Sequence, residues 1–81
     1  MPIINLQESD IALGMIISVL HGQRQALPLQ RIYAAAERLA PEWATLSPSW
    51  RSLLRRALRF LTAKGLVVEV TKGHWKLRDV K

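Results

Sequence analysis

The sequence contains no cysteine and few glycines, prolines or acidic residues. Without cysteine the chain forms neither a disulfide nor a thiolate metal site, so core packing must stabilise the fold. Four glycines and four prolines, against 49% hydrophobic residues, are too few for a disordered or low-complexity chain. A chain of 81 residues encloses one core. We therefore predict a single domain over residues 1–81.

A long hydrophobic run is also missing. The richest apolar segment, Ile11 to Leu20, is shorter than the roughly 20 residues of a membrane-spanning helix, and it is interrupted by Gly14 and Ser18. The sequence does not start with basic residues followed by an apolar stretch, as a secretory signal does. These absences predict a cytoplasmic protein without a membrane span. No membrane partner is predicted, because the basic helix near the C-terminus turns its apolar stripe into the core.

No group of residues in the sequence is typical of an enzyme. His21 and His74 are far apart, and two imidazoles without a thiolate do not complete a zinc site. There is no glycine-rich phosphate loop, and the basic half of the chain has no pair of carboxylates on one helix face. We therefore predict no catalytic activity, no metal and no cofactor.

Acidic residues are especially scarce in the second half of the chain. Residues 1–46 contain three arginines and four carboxylates, a net charge of −1, whereas residues 47–81 contain nine basic and two acidic residues, a net charge of +7. The overall charge of +6 is thus concentrated in the C-terminal half. A concentrated positive field attracts polyanions, chiefly nucleic acid or an anionic membrane surface.

The first predicted helix runs from about Ser9, a suitable cap, to His21. Gly22 after it is suited to a left-handed helix stop. Apolar residues cover well over half of its circumference. This is typical of a central helix wrapped by a small domain; the alternative is that part of the surface forms a dimer interface. Together with the apolar residues 2–6, it predicts a homodimer through the first helix and the N-terminal segment.

The second predicted helix covers about residues 29–40 and is closed by Pro41, because the residue before a proline disfavours helical geometry. The residues just before it leave room for a short extended segment. The stretch APEWATL that follows is a predicted loop, with Trp43 and Leu46 as anchors against the core.

The third predicted helix covers about residues 48–64. Ser47 is its expected cap, Pro48 takes the first helical position, where its missing N–H costs nothing, and Gly65 follows the last turn. At helical spacing the chain separates an apolar stripe from a cationic face. The stripe consists of Trp50, Leu53, Leu54, Ala57, Leu58 and Leu61. The opposite face consists of Ser52, Arg55, Arg56 and Arg59, flanked by Ser49 and Arg51.

After Gly65 the period changes to two, which predicts a β-hairpin over about residues 66–79. The turn is TKGH, in which Gly73 tolerates positive φ. The basic residues of the hairpin are Lys72, His74, Lys76 and Arg78. Three helices followed by a basic hairpin are the element order of a winged helix-turn-helix, a mainly α fold with a small β-hairpin.

Two segments, APEWATLSPSWRSLLRRALRF and LVVEVTKGHWKLRD, resemble the forkhead, linker-histone and HARE-HTH type of winged helix. The N-terminal winged helices of restriction systems are similar. The resemblance extends from about Leu27 to Asp79. The matching positions are Trp50, Ser52, Arg55, Leu58, Gly73, Trp75 and Leu77. A histidine and asparagine pair of the forkhead sort is missing, so the resemblance implies a DNA-binding fold without implying forkhead base specificity.

Double-stranded DNA is the partner that charge and element order favour. An α-helix fits the major groove, where arginine bridges O6 and N7 of guanine, and Arg55 and Arg59 are the candidates for base contacts. Phosphate contacts are expected from Ser49, Arg51 and Arg56. The remaining predicted DNA-binding residues are Ser52 on the helix and Lys72, His74 and Lys76 on the wing. The predicted role is transcription regulation or nucleoprotein organisation at the nucleoid.

Two other interpretations of the basic surface stay open. An arginine-rich helix face is often only solvated. The second alternative is an adaptor or inhibitor module whose basic face docks an acidic protein or a nucleic-acid-processing complex.

Overall fold

The computed structural model describes the backbone of residues 8–78 and the side chains of residues 10–78. In chain order the elements are α1 (Glu8–Leu20), β1 (Leu27–Pro28), α2 (Leu29–Leu39), α3 (Pro41–Leu46), α4 (Trp50–Ala63), β2 (Val67–Thr71) and β3 (His74–Leu77). A mainly helical fold with a small antiparallel sheet, in a winged-helix-like layout, confirms the predicted class. The predicted cap Ser9, residues 2–6 and Asp79 lie outside the described side chains.

The core lies between α1, α2 and α4. Ile16, Ile32 and Leu54, one from each helix, are fully enclosed. The other buried apolar residues are Ala12, Val19, Leu20, Ala36, Trp50, Ala57, Leu58, Leu61 and Val67. The spacing of Trp50, Leu54 and Leu61 follows the predicted stripe of α4, so the apolar side of this helix is confirmed and its arginines are turned outward. Within residues 8–78, no helix combines the length and apolarity that a membrane crossing requires.

The predicted loop after α2 is the short helix α3, so this prediction is wrong. Pro41 ends α2 and also occupies the start of α3, where a proline lacks only an N–H that would be unsatisfied in any case. Trp43 packs edge-to-face on Trp50 at 6.3 Å and is an anchor as predicted. Leu46 is 81% exposed and is not an anchor. Because the segment is helical, its inward strip is Trp43, Ala44 and Ser47, and Leu46 lies outside this strip.

The start of α4 also differs from the prediction. The helix begins at Trp50 with Ser49 as its N-cap, so Ser47 is not the cap and Pro48 is not its first residue. Ser47 instead ends α3, where its N–H donates to the Trp43 carbonyl at 2.9 Å, and Pro48 lies in the turn between the two helices. The extra helix therefore uses Ser47, which the sequence pattern assigned to the cap of α4, as its own C-cap.

The sheet has three antiparallel strands in the order β1-β3-β2, so the predicted extended segment before α2 joins the hairpin as an edge strand. Leu27 pairs with Trp75, and Val67 pairs with Leu77. The turn is confirmed at Gly73, which has φ 83°. A register shift between Glu69 and Thr71 bends β2.

The inward side of β2 is set by Val67, which is buried. Leu66 and Val70 are exposed. Since side chains alternate along a strand, Glu69 shares the inward side with Val67, and the paired residue Trp75 on β3 does the same. The sheet thus turns Glu69 and Trp75 towards α4.

Gly65 lies in the turn between α4 and β2, where its conformation lets the chain leave the helix and enter the sheet. It has φ 81°, and a Cβ at this position would lie 3.3 Å from Nη1 of Arg78. We expect Gly65→Ala to lower the free energy of unfolding by about 1–2 kcal/mol, because a left-handed conformation is costly for a residue with a Cβ. Urea unfolding followed by circular dichroism measures the change.

Gly14 provides the matched control for this substitution. It lies within α1, and a Cβ added there meets nothing within 4 Å. Gly14→Ala should therefore raise the free energy of unfolding by up to about 1 kcal/mol, because alanine favours a helix interior. Equal changes of the same sign at Gly14 and Gly65 would contradict this account of the α4–β2 junction.

Candidate nucleic-acid interface

The exposed face of α4 forms a shallow basic concavity. Ser52, Arg55, Arg56 and Arg59 line a depression of about 150 Å³. All four are exposed, because the buried stripe of α4 lies on the other side of the helix. Among the side chains of residues 10–78, no carboxylate forms an ion pair with these arginines. Their positive charge is therefore available to an external anion.

Arg55 and Arg59 also border the cleft between α4 and the wing. This cleft has a volume of about 460 Å³. Its other lining residues are Leu29, Leu58, Thr62, Ala63, Glu69 and Trp75. The cleft thus has an apolar floor and two arginines on one rim. The basic face of α4 therefore extends to the space between this helix and the sheet. Arg55 and Arg59 are thus shared by both concave surfaces.

Glu69 is the acidic residue of the wing cleft, and its carboxylate holds the wing turn. Oε2 of Glu69 accepts a hydrogen bond of 2.7 Å from the backbone N–H of Gly73. This bond joins β2 to the tip of the hairpin and fixes the turn on which Lys72 and His74 stand. The negative charge in the cleft therefore has a structural partner within the wing.

Arg51 lies on the flank of α4 that faces α2. Its guanidinium carbon is 4.9 Å from the centre of the Trp50 ring and 6.0 Å from that of Tyr33. The Tyr33 and Trp50 rings pack edge-to-face with their centroids 5.9 Å apart. Cation–π attraction to these rings orients the guanidinium while leaving its N–H donors free to bind an anion. Ser49, the N-cap of α4, makes no side-chain capping bond.

Tyr33 belongs to the basic surface as well as to the core. Burial raises the pKa of its phenol above the ordinary value, and the nearby charges of Arg55 and Arg51 oppose that shift. Both arginines are therefore close enough to act on the Tyr33 hydroxyl. At neutral pH the phenol is protonated, so it can donate a hydrogen bond to an anion held by the two guanidinium groups.

Lys72 and His74 stand at the exposed tip of the wing. The Nδ1 atom of His74 lies 3.3 Å from the Lys72 carbonyl oxygen, across the turn residue Gly73. Neither side chain lines the cleft between α4 and the sheet. The structure therefore brings a second, smaller group of predicted residues to one place, on a different element from the arginines.

Lys76 is separated from the arginines of α4. It alternates with Trp75 along β3 and so lies on the sheet face opposite the α4 cleft. Its Nζ donates a hydrogen bond of 3.5 Å to the backbone carbonyl of Arg24. Arg24, Lys76 and Arg78, with His21, line a separate concavity of about 710 Å³. The sequence pattern missed this cluster because the fold joins the loop after α1 to β3.

Within residues 10–78, no three side chains of the His, Cys, Asp or Glu type are grouped so that they could hold a metal ion.

Comparison of the chain with protein-family models, with curated proteins and with solved structures finds no match. A functional proposal for the protein therefore depends on the basic surfaces themselves.

Proposed function

We propose that the protein is a small module that binds double-stranded DNA through α4 and the wing. The observation that carries the proposal is the basic face of Arg55, Arg56 and Arg59, whose charges have no ion-pair partner among residues 10–78. Three unpaired guanidinium groups on one helix face match the sign of a phosphate-lined groove. A merely solvated face needs no concavity and no second basic element beside it.

The α4 helix enters the major groove in this proposal. Arg55 and Arg59 lie one turn apart at the centre of the exposed face, and both can reach base edges, where arginine pairs with O6 and N7 of guanine. Arg51 and Arg56 on the flanks bind phosphates, with the hydroxyl of Ser49 at the helix start. Tyr33 adds a phenol donor beside Arg51.

The wing contacts the adjacent backbone. Lys72 at its tip neutralises a phosphate next to the groove that α4 occupies, His74 stands beside it, and Ser52 supplies a hydroxyl near the arginines. Lys76 lies on the far face of the sheet with Arg24, so it contacts the same DNA only if the duplex bends around the wing. We therefore assign Lys76 the smallest contribution.

The biological role that fits such a module is transcription regulation or nucleoprotein organisation at the nucleoid. Residues 8–78 are filled by the winged-helix-like fold, so the described part acts by occupying DNA or recruiting another protein. Self-association as a homodimer through α1 is part of this proposal, since Ile17 on that helix is 41% exposed. A homodimer would read a two-fold symmetric site.

A salt titration tests the DNA-binding proposal. Each phosphate neutralised contributes about −0.9 to the slope of log association constant against log salt concentration. With Arg51, Arg56 and Lys72 at phosphates, we expect a slope of about −3 or steeper for a short duplex between about 50 and 200 mM salt. Fluorescence anisotropy of a labelled duplex gives the slope. An affinity that does not change with salt would overturn the proposal.

A second candidate function is docking of an acidic protein to the same basic face. The observation in its favour is Leu46, which is exposed beside Pro41, Glu42 and Thr45 on α3 and offers an apolar contact that DNA does not use. This function predicts that an acidic peptide carrying leucine side chains displaces the labelled duplex, and that Leu46→Ser, which changes no charge, weakens the binding of that peptide. For the DNA-binding function, Leu46→Ser leaves the duplex affinity unchanged.

A further inference from the structure

A second groove lies between α1 and α4, away from the wing. Leu13, Leu53, Ala57 and Phe60 form its apolar wall, and its volume is about 530 Å³. Phe60 is turned about 100° around α4 from Arg59, as expected for neighbouring residues in a helix. We call this depression the α1–α4 groove. It borders the DNA-binding face without containing Arg55 or Arg59.

The apolar groups of the α1–α4 groove are only partly covered by the described residues. Phe60 is 48% exposed, and Nζ of Lys64 lies over its ring, 5.4 Å from the ring centre. On α1 the exposed Ile17 follows Leu13 at a spacing of four residues and so continues the same strip. An exposed aromatic residue beside an apolar strip is the usual centre of a protein interface.

The rim of the groove carries one charge of each sign. Asp10 lies on the α1 side and Arg56 on the α4 side, and both side chains are exposed. Neither forms an ion pair with another side chain among residues 10–78. A purely acidic partner would satisfy only Arg56, and a purely basic partner would satisfy only Asp10. A surface with the same two charges in the reverse order satisfies both.

We propose that the α1–α4 groove is a two-fold symmetric contact between two copies of this chain. In such a contact residue i of one copy meets residue j of the other, and j meets i. Asp10 of each copy then faces Arg56 of the other, which gives two ion pairs around an apolar centre built from both Phe60 rings. This inference rests on the homodimer of the proposed function and identifies its surface, and its test does not depend on DNA binding. Arg56 lies on both surfaces, and its five N–H donors allow it to bind a phosphate and Asp10 of the other copy together.

Charge-swap variants test the contact without DNA. Asp10→Arg leaves two arginines on the rim, and Arg56→Asp leaves two aspartates, so each variant alone places like charges opposite each other in a symmetric dimer. Like charges across an interface are strongly unfavourable. We expect wild-type protein to dimerise at micromolar to millimolar concentration in sedimentation equilibrium, and each single variant to dimerise at least about 10-fold more weakly.

Mixing the two single variants provides the decisive measurement. In a heterodimer the arginine introduced by Asp10→Arg in one copy would face the aspartate introduced by Arg56→Asp in the other. The native Asp10 of the Arg56→Asp copy would face the native Arg56 of the Asp10→Arg copy. Both ion pairs are then restored, so the equimolar mixture should form a one-to-one dimer of near wild-type affinity. The double variant Asp10→Arg, Arg56→Asp should dimerise by itself for the same reason.

Matched controls exclude a general charge effect. Glu37→Arg and Arg31→Asp make the same charge changes at exposed positions of α2 outside the groove, and they should leave dimerisation unchanged. Circular dichroism of every variant reports folding. A wild-type protein that stays monomeric at millimolar concentration, or single variants whose mixture fails to associate, would overturn the proposal. Because no duplex is present, neither outcome depends on whether the protein binds DNA.

Discussion

Reversing Arg55 and Arg59 together to glutamate should weaken duplex binding by about 100-fold or more at moderate salt. A bidentate contact between arginine and guanine is worth about 1–3 kcal/mol, and a loss of about 1.4 kcal/mol corresponds to a factor of ten. The double variant loses two such contacts and adds two negative charges to the centre of a groove-facing surface. Fluorescence anisotropy with a fixed duplex and fixed salt concentration measures the loss.

The control for this experiment carries the same number of charge reversals elsewhere. Arg31 and Arg38 are exposed on α2 and line neither concave surface of α4. The Arg31→Glu, Arg38→Glu variant has the same net charge as the Arg55→Glu, Arg59→Glu variant, so it reports the effect of overall charge alone. We expect it to bind within a few-fold of wild type. Equal losses in both variants would mean that net charge, and no defined face, attracts the DNA.

The order of the main elements could be predicted from the sequence because each signal is local. The stripe from Trp50 to Leu61 recurs at helical spacing, and the structure encloses all of its residues except Leu53, which is half-buried. The turn at Gly73 depends on the conformation of a single residue, which its φ of 83° confirms. The outward direction of the α4 arginines follows from the same stripe, so the centre of the candidate site was predictable as well.

Features that depend on contacts between distant segments could not be predicted in this way. The proline after α2 indicated only a helix end, but Pro41 is also compatible with a helix start, and packing of Trp43 on Trp50 decides between the two. Lys76 lies on the hairpin, as the sequence predicts. Its hydrogen bond to the carbonyl of Arg24, 52 positions away along the chain, has no local signal in the sequence.

The contact of Tyr33 with Trp50 and Arg51 is another feature of the candidate site that could not be predicted from the sequence. Tyr33 has the spacing of a core residue of α2, and the sequence leaves open whether it also touches a partner. Tyr33 of α2 lies close to Arg51 because its ring packs on Trp50, the neighbouring residue in α4, and this is a tertiary contact. A contact between an arginine and an aromatic ring far away in the sequence leaves no periodic pattern. The sequence therefore predicts a phosphate contact for Arg51 but does not predict the rings that orient its guanidinium.

Removing the side chain of Leu54 should have the largest effect on stability. This residue of α4 is fully enclosed where α1 packs on α4, and Leu→Ala at enclosed positions costs about 2–5 kcal/mol through lost burial and the cavity that remains. A domain of this size has a total stability of only about 4–12 kcal/mol at about 0.05–0.15 kcal/mol per residue. We therefore expect Leu54→Ala to unfold at a much lower urea concentration, and at low stability to be partly unfolded in buffer.

Leu46→Ala is the matched control, because the substitution is chemically identical and Leu46 lies almost wholly in solvent. Exposed substitutions of this kind change the free energy of unfolding by no more than about 0.5 kcal/mol. The contrast between the two variants also separates the folding role of α4 from its proposed DNA-binding role. Because the buried stripe alone orients Arg55 and Arg59, Leu54→Ala should lose duplex binding in parallel with its helical circular dichroism signal. If Leu54→Ala unfolded completely but retained wild-type duplex affinity, the duplex would be binding an unstructured basic chain, and the surface described on α4 would not be the cause of binding.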